Sequence, residues 1–114
     1  MKDELYHFDL YQDAAEATAI YPDKGDNLYY PALGLAGEAG EVCEKIKKIM
    51  RDQKGYFTDE DTAEIGKELG DVLWYLSTIA TELNIALSVI AEDNMAKLKD
   101  RLDRGVIKGS GDNR

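Results

Sequence analysis

Apolar residues recur at intervals of three and four along most of the chain, which is the spacing of one face of an α-helix. This pattern predicts four helices, at about residues 5–19, 31–51, 59–83 and 87–104. Pro31 suits a first helical turn because it has no amide hydrogen to leave unbonded. Thr58 or Asp59 is suited to cap the third helix, and Gly105 is suited to end the fourth. Strand-like alternation is not evident, so the pattern predicts an all-α fold resembling a four-helix bundle.

The second and third predicted helices carry matching apolar stripes. The members are Leu35, Ala39, Val42, Ile46 and Ile49 on the second, and Ile65, Leu69, Val72, Leu76 and Ile79 on the third. We expect the two stripes to pack together at the centre of the bundle. The 114 residues fit a single domain with a core at about 5–104. The glycine-rich segment 105–114 is expected to be a flexible tail.

Two nearly repeated octets flank these stripes: LAGEAGEV at 35–42 and IGKELGDV at 65–72. Each octet places two acids three residues apart: Glu38 and Glu41, then Glu68 and Asp71. Side chains at this spacing lie roughly 5–6 Å apart on a helix surface. If the helices pair antiparallel, all four carboxylates face one side, an arrangement that is costly without a cation. Oxygen ligands favour a hard cation, which predicts Mg²⁺ with Mn²⁺ as a possible substitute.

A solvated surface is the competing interpretation of these acids. The chain is 32% charged, so acids spaced by three also occur by chance, as Glu41 and Glu44 do. The repetition of the pattern beside both stripes favours the metal site. Zinc or di-iron sites built on histidine lack ligands, because His7 is the single histidine, and Cys43 is the single cysteine.

Charge and composition narrow the classes of function. The formal net charge is −9, which argues against a nucleic-acid polymer as partner. No apolar run approaches the ~18 residues of a membrane span, and the N-terminus lacks a signal-peptide core. A cytoplasmic protein without a membrane partner is therefore expected.

Basic residues concentrate near the end of the chain. Asn94, Lys97 and Arg101 share one face of the fourth predicted helix and suit phosphate oxygens. The alternative is a solvated face whose cations complement the helix dipole. Trp74 points away from the apolar stripe of its helix, which predicts a subunit contact.

The motifs GEAGE and ELGDVLWYL, followed by NMAKLKDR, resemble those of the MazG-like all-α nucleoside triphosphate pyrophosphohydrolases. The resemblance covers roughly residues 8–104. Within the family, the chain looks like the short, single-domain members that are often associated with phages. It implies that Mg²⁺ ions are held by Glu38, Glu41, Glu68 and Asp71. It also implies that phosphate oxygens are neutralised by Lys97 and Arg101, with Lys45, and that the nucleotide is contacted by Asn94 and Tyr75.

The activity implied by this resemblance is Mg²⁺-dependent hydrolysis of a nucleoside triphosphate. Water polarised by Mg²⁺ and positioned by a carboxylate attacks the α-phosphorus, giving a monophosphate and pyrophosphate. Homodimers or homotetramers with sites at subunit interfaces are implied as well.

Two alternatives stay open. One is a non-catalytic helical module that binds a nucleotide or a protein. The other is an enzyme of the same fold that acts specifically on dUTP, dCTP or phosphoribosyl-ATP.

Overall fold

The computed structural model describes residues 7–114, and this part of the chain contains four α-helices and no β-strand. The helices are α1 (Phe8–Thr18), α2 (Tyr29–Asp52), α3 (Asp59–Glu82) and α4 (Leu87–Asp103). The predicted four-helix, all-α fold is confirmed. Leu5 and Tyr6, which were predicted to belong to the first helix, lie outside the described residues.

The helix ends follow local chemistry. Pro31 occupies the first turn of α2, as its missing amide hydrogen predicts. Thr58 caps α3 in a reciprocal capping box, because its hydroxyl accepts from Asp61 N at 3.1 Å and Thr58 N donates to the Asp61 carboxylate at 3.0 Å. Gly105 ends α4 with φ +76°, a conformation that glycine adopts at little cost.

α2 and α3 form an antiparallel pair. Gly34 lies against Tyr75, and Lys45 lies against Glu68, so the contacts run in opposite directions along the two helices. This pairing sets the flanks of both helices side by side, as the matching stripes predict.

α1 and α4 pack outside this central pair. α1 contacts α3 and α4, and within residues 7–114 α4 contacts α1 and α3 but not α2. The side chain of Asp9 joins α1 to α4 by accepting from Ser88 N and Ser88 Oγ at 3.0 and 2.8 Å. α4 departs from α3 at an angle of 103°.

Trp74 has partners within its own chain. Its indole Nε1 donates to Thr18 Oγ1 of α1 at 2.8 Å, and its ring meets Tyr75 edge-on at 5.0 Å. The side chain is half-buried within its own chain. Trp74 points away from the α2-facing stripe because α1 lies on that side. The predicted subunit contact stays a prediction.

Much apolar surface remains open in the single chain. Leu69, Leu73 and Leu76 lie along one side of α3 and are 52%, 37% and 37% exposed. The accessible surface is 8395 Å², whereas a compact monomer of this mass has about 6,200 Å². The radius of gyration is 16.9 Å, against about 13 Å for a compact domain of this length. α2 and α3 therefore pack along the predicted stripes, but part of the stripe on α3 stays exposed in the single chain.

Among the described residues, no single helix has both the length and the apolar composition needed to cross a membrane.

Candidate functional site

Three of the four matched acids converge. One carboxylate oxygen each from Glu38 of α2 and from Glu68 and Asp71 of α3 lie within 4.8 Å of one another. We call these three residues the acid cluster. The antiparallel pairing of α2 and α3 produces it, because the flanks that carry both octets lie on the same side.

Glu41 is not part of the acid cluster. Its side chain is exposed on α2, and its carboxylate is not among the oxygens that lie within 4.8 Å of one another. Its negative charge still acts on the cluster, since it contributes to raising the pKa of Glu38. The role predicted for Glu41 stays a prediction.

Mutual repulsion defines the electrostatics of the acid cluster. The pKa of Glu38 lies above its usual value, first because Glu38 shares a hydrogen bond with Glu68 and then because it is desolvated. The negative charges of Asp71 and Glu68 raise it further. Such a site binds positive charge, whether a proton or a cation, more favourably than a solvated surface does.

Lys45 supplies the one ammonium found close to the acid cluster in the described part of the chain. Its Nζ lies 3.9 Å from Glu68 Oε1, and the two side chains are 34% and 20% exposed. This separation is at the outer limit of an ion pair, so the contact is loose. A single ammonium faces three carboxylates, which leaves the cluster with an excess of negative charge.

Tyrosines form one wall beside the acid cluster. Tyr75 lies over Gly34, where an added Cβ would come within 2.5 Å of three ring atoms. Burial raises the pKa of Tyr75, and the neighbouring Tyr30 and the negative charge of Glu38 raise it further. The phenol therefore stays protonated and can donate to an anion.

Tyr11 is a neighbour of the cluster that the sequence pattern did not identify. Burial raises its pKa, and the negative charge of Asp71 raises it further. Tyr11 belongs to α1, and its position depends on how α1 packs on α3. Sequence spacing within one helix carries no signal for such a contact.

A second polar arrangement orients the tyrosine wall. The Glu82 carboxylate accepts from Tyr21 Oη at 2.5 Å, from Gly25 N at 2.8 Å and from Asn27 N at 3.2 Å. Tyr21 stacks on Tyr30 with ring centroids 4.7 Å apart. Glu82 thereby fixes the loop that carries Tyr21, and the stacking of the two rings extends this constraint to Tyr30.

The predicted phosphate-binding residues of α4 are placed elsewhere. Lys97 and Arg101 both bind the carboxylate of Asp112, at 2.8 and 3.0 Å. Asn94 lines an open groove together with Lys97, Val89 and Ile90. Within residues 7–114, the ion pairs of Lys97 and Arg101 are made with Asp112 and not with the acid cluster, and α4 does not contact α2. Their roles stay predictions.

Comparisons with known proteins agree with these motifs. A family model described as the MazG nucleotide pyrophosphohydrolase domain matches residues 31–106, a range that includes all nine predicted site residues. The chain is also similar to the Gene 37 protein of Mycobacterium phage L5, with 50% identity over 113 residues covering 95% of this chain and 99% of that protein. No solved structure matches the chain significantly.

Proposed function

Because the chain belongs to the MazG nucleotide pyrophosphohydrolase family, we propose that it hydrolyses nucleoside or deoxynucleoside triphosphates to the monophosphate and pyrophosphate. The observation that carries the proposal is the acid cluster of Glu38, Glu68 and Asp71, drawn from both octets. Without a cation, three carboxylates within 4.8 Å of one another would repel a triphosphate, so the cluster favours a function that uses a bound metal ion.

The donor set fits Mg²⁺. All three groups are carboxylates, the ligand type that Mg²⁺ and Mn²⁺ prefer, and their repulsion is already expressed in the raised pKa of Glu38. Glu38, Glu68 and Asp71 would hold the ion. When bound, Mg²⁺ supplies positive charge for the phosphate oxygens and lowers the pKa of a coordinated water.

The remaining residues bind and neutralise the triphosphate. The loose pairing of Lys45 with Glu68 leaves its ammonium able to move to a phosphate oxygen. Tyr75 donates its phenol hydrogen to the nucleotide. A water molecule attacks the α-phosphorus, the bond to the bridging oxygen breaks, and pyrophosphate leaves as a carboxylate accepts the proton of the water.

Glu41 can take one of two roles in this reaction, as a metal ligand or as the residue that positions the water. Its exposed side chain can turn toward the bound ion, or it can hold the attacking water. Glu41→Gln separates them. The first role predicts weaker Mg²⁺ binding, whereas the second predicts unchanged Mg²⁺ binding with a lower kcat.

A second copy of the chain would complete the site, and we propose a homodimer or a homotetramer. The surface in excess of a compact monomer is about 2,200 Å², and a standard interface buries only about 800 Å² per partner. Leu69, Leu73 and Leu76 offer an apolar patch for such an interface. Since α4 does not contact α2 within one chain, Asn94, Lys97 and Arg101 reach a triphosphate most directly across this interface.

The decisive test is a panel of triphosphates, including dUTP and dCTP, with Mg²⁺ or Mn²⁺ and detection of released pyrophosphate. Glu38→Gln and Asp71→Asn should abolish release. Glu44→Gln is the matched control, because Glu44 lies on the same helix but pairs with Lys47 at 3.0 Å. Full activity of a folded Asp71→Asn protein would reject the site, and nucleotide binding without any pyrophosphate would favour the binding module instead.

A further inference from the structure

Arg101 is a buried cation with an incomplete set of partners. Its side chain is 6% exposed, and among the described residues its Nε has no hydrogen-bond partner. A guanidinium removed from water needs an anion and hydrogen-bond acceptors to offset the lost hydration. The acceptors that residues 7–114 supply therefore leave Nε without a partner.

Asp112 supplies the anion. Its Oδ1 lies 3.0 Å from Arg101 Nη2 and 2.8 Å from Lys97 Nζ, and its backbone carbonyl accepts a further hydrogen bond from Arg101 Nη2. The Asp112 side chain is itself 77% exposed. Hydrogen bonds from Lys97 and then from Arg101 hold the pKa of Asp112 below its usual value, so it stays negatively charged.

The segment that carries Asp112 is attached through polar contacts. Arg104 Nη2, at the end of α4, donates to Arg114 O at 2.7 Å. Within the segment, Arg114 donates from Nε to Val106 O at 3.0 Å and from Nη2 to Ile107 O at 3.1 Å, and these bonds hold the segment in its folded shape. Residues 105–114, expected from sequence to be a flexible tail, are thus folded back on α4 in the structure. Contacts of this kind exchange with water at modest cost.

We propose that residues 105–114 are an autoinhibitory latch, in which the Asp112 carboxylate occupies the cation pair that a phosphate group of the triphosphate requires. The inference rests on the proposed function for the assignment of Lys97 and Arg101 to phosphate. Carboxylate and phosphate oxygens present the same chemistry to a guanidinium. Phosphate has the advantage that two of its oxygens can engage Nε and Nη2 together, which satisfies the nitrogen that Asp112 leaves free.

A purely structural role for Asp112 makes a different prediction. If Asp112 only neutralises Arg101, its removal destabilises the protein without improving anion binding. If the segment is a latch, the affinity for an added phosphate chain is reduced by the fraction of molecules in which the latch is open. A latch closed in about nine of ten molecules weakens binding about tenfold.

The test measures binding of inorganic tripolyphosphate, without divalent ions, by titration calorimetry on the full chain. Asp112→Asn should bind about tenfold more tightly than wild type. Asp103→Asn is the matched control, since it removes the same charge from an exposed pair with Lys99 at 2.8 Å and should leave the affinity near the wild-type value. Equal affinities for the two variants would overturn the latch.

A second variant tests the latch with the opposite charge change. Arg114→Gln removes a positive charge, which by simple electrostatics weakens anion binding. The latch predicts tighter binding, because the segment loses the internal hydrogen bonds from Arg114 to Val106 O and Ile107 O that hold it in its closed shape. Weaker binding by Arg114→Gln would therefore contradict the proposal. Adding Lys97→Gln to Asp112→Asn should cancel the gain, and retention of the gain would place the anion elsewhere.

These measurements are independent of hydrolysis. If no triphosphate is hydrolysed but Asp112→Asn gains affinity, the proposed function fails and the latched anion site remains. If hydrolysis is observed, the latch further predicts that Asp112→Asn lowers KM about as much as it tightens tripolyphosphate binding and leaves kcat unchanged. An unchanged KM in an active enzyme would reject the latch alone.

Discussion

Gly34→Ala should destabilise the protein, although replacing glycine with alanine inside a helix ordinarily stabilises it. Gly34 lies under the ring of Tyr75, and an added Cβ would come within 2.5 Å of three ring atoms. Carbon atoms pack at about 3.5–4.0 Å. Because ring carbons of Tyr75 rather than the end of a flexible side chain meet the Cβ, the ring must move away from Glu38 and Asp71 or the helices must separate.

The expected magnitude follows from two opposing effects. Alanine gains about 1 kcal/mol over glycine in a helix interior, whereas forcing an extra carbon into a packed contact costs about 1–3 kcal/mol. The net result is a loss of up to about 2 kcal/mol. Gly37→Ala on the same helix should gain about 1 kcal/mol, since nothing lies within 4 Å of its added Cβ.

The assay is thermal or urea unfolding of both variants beside the wild type. The two should differ by about 1–3 kcal/mol, equivalent to roughly 4–12 °C in Tm for a domain of this size. Displacement of Tyr75 should also raise KM for the triphosphate in Gly34→Ala and leave it unchanged in Gly37→Ala. Equal stabilisation by the two substitutions would refute the close packing of Tyr75 on α2.

Three further predictions concern the cap, the metal and the subunit contact. Thr58→Ala should cost about 1 kcal/mol of unfolding free energy by removing the capping box. Hydrogen bonds with Thr58 and Gln53 lower the pKa of Asp61 from 3.8. The stability that Asp61 contributes is therefore present above pH 3.8 and is lost as the pH falls through the folded-state pKa. Unfolding curves of Thr58→Ala should show a smaller loss at acid pH than those of the wild type. Mg²⁺ at about 100 times its Kd should stabilise the wild type by about 2.7 kcal/mol, and an equal shift in Glu38→Gln would exclude this ligand. Leu73→Glu should yield monomers by light scattering, whereas Ile20→Glu, at a side chain 92% exposed, should not; an unchanged mass for Leu73→Glu would exclude this patch from the interface.

Local patterns in the sequence determine the helices and the spacing of the acids. Four apolar periodicities, the Thr58 cap, Pro31 in a first turn and Gly105 at a helix end were sufficient to place the elements within a few residues. These features act over three or four residues, the range over which helical hydrogen bonds and caps operate. The spacing of the acids within each octet is equally local, so the match between the octets of Glu38 and Glu68 is visible from sequence alone.

Only the tertiary structure decided which side chains meet. The rotation of α2 against α3 brings Glu38 to Glu68 and leaves Glu41 facing solvent. Packing of α1 on α3 turns Trp74 inward, and the return of the chain after α4 sets Asp112 on Arg101. Each of these contacts depends on the relative orientation of segments distant along the chain, which is fixed by the packing of whole surfaces and has no counterpart in local residue spacing.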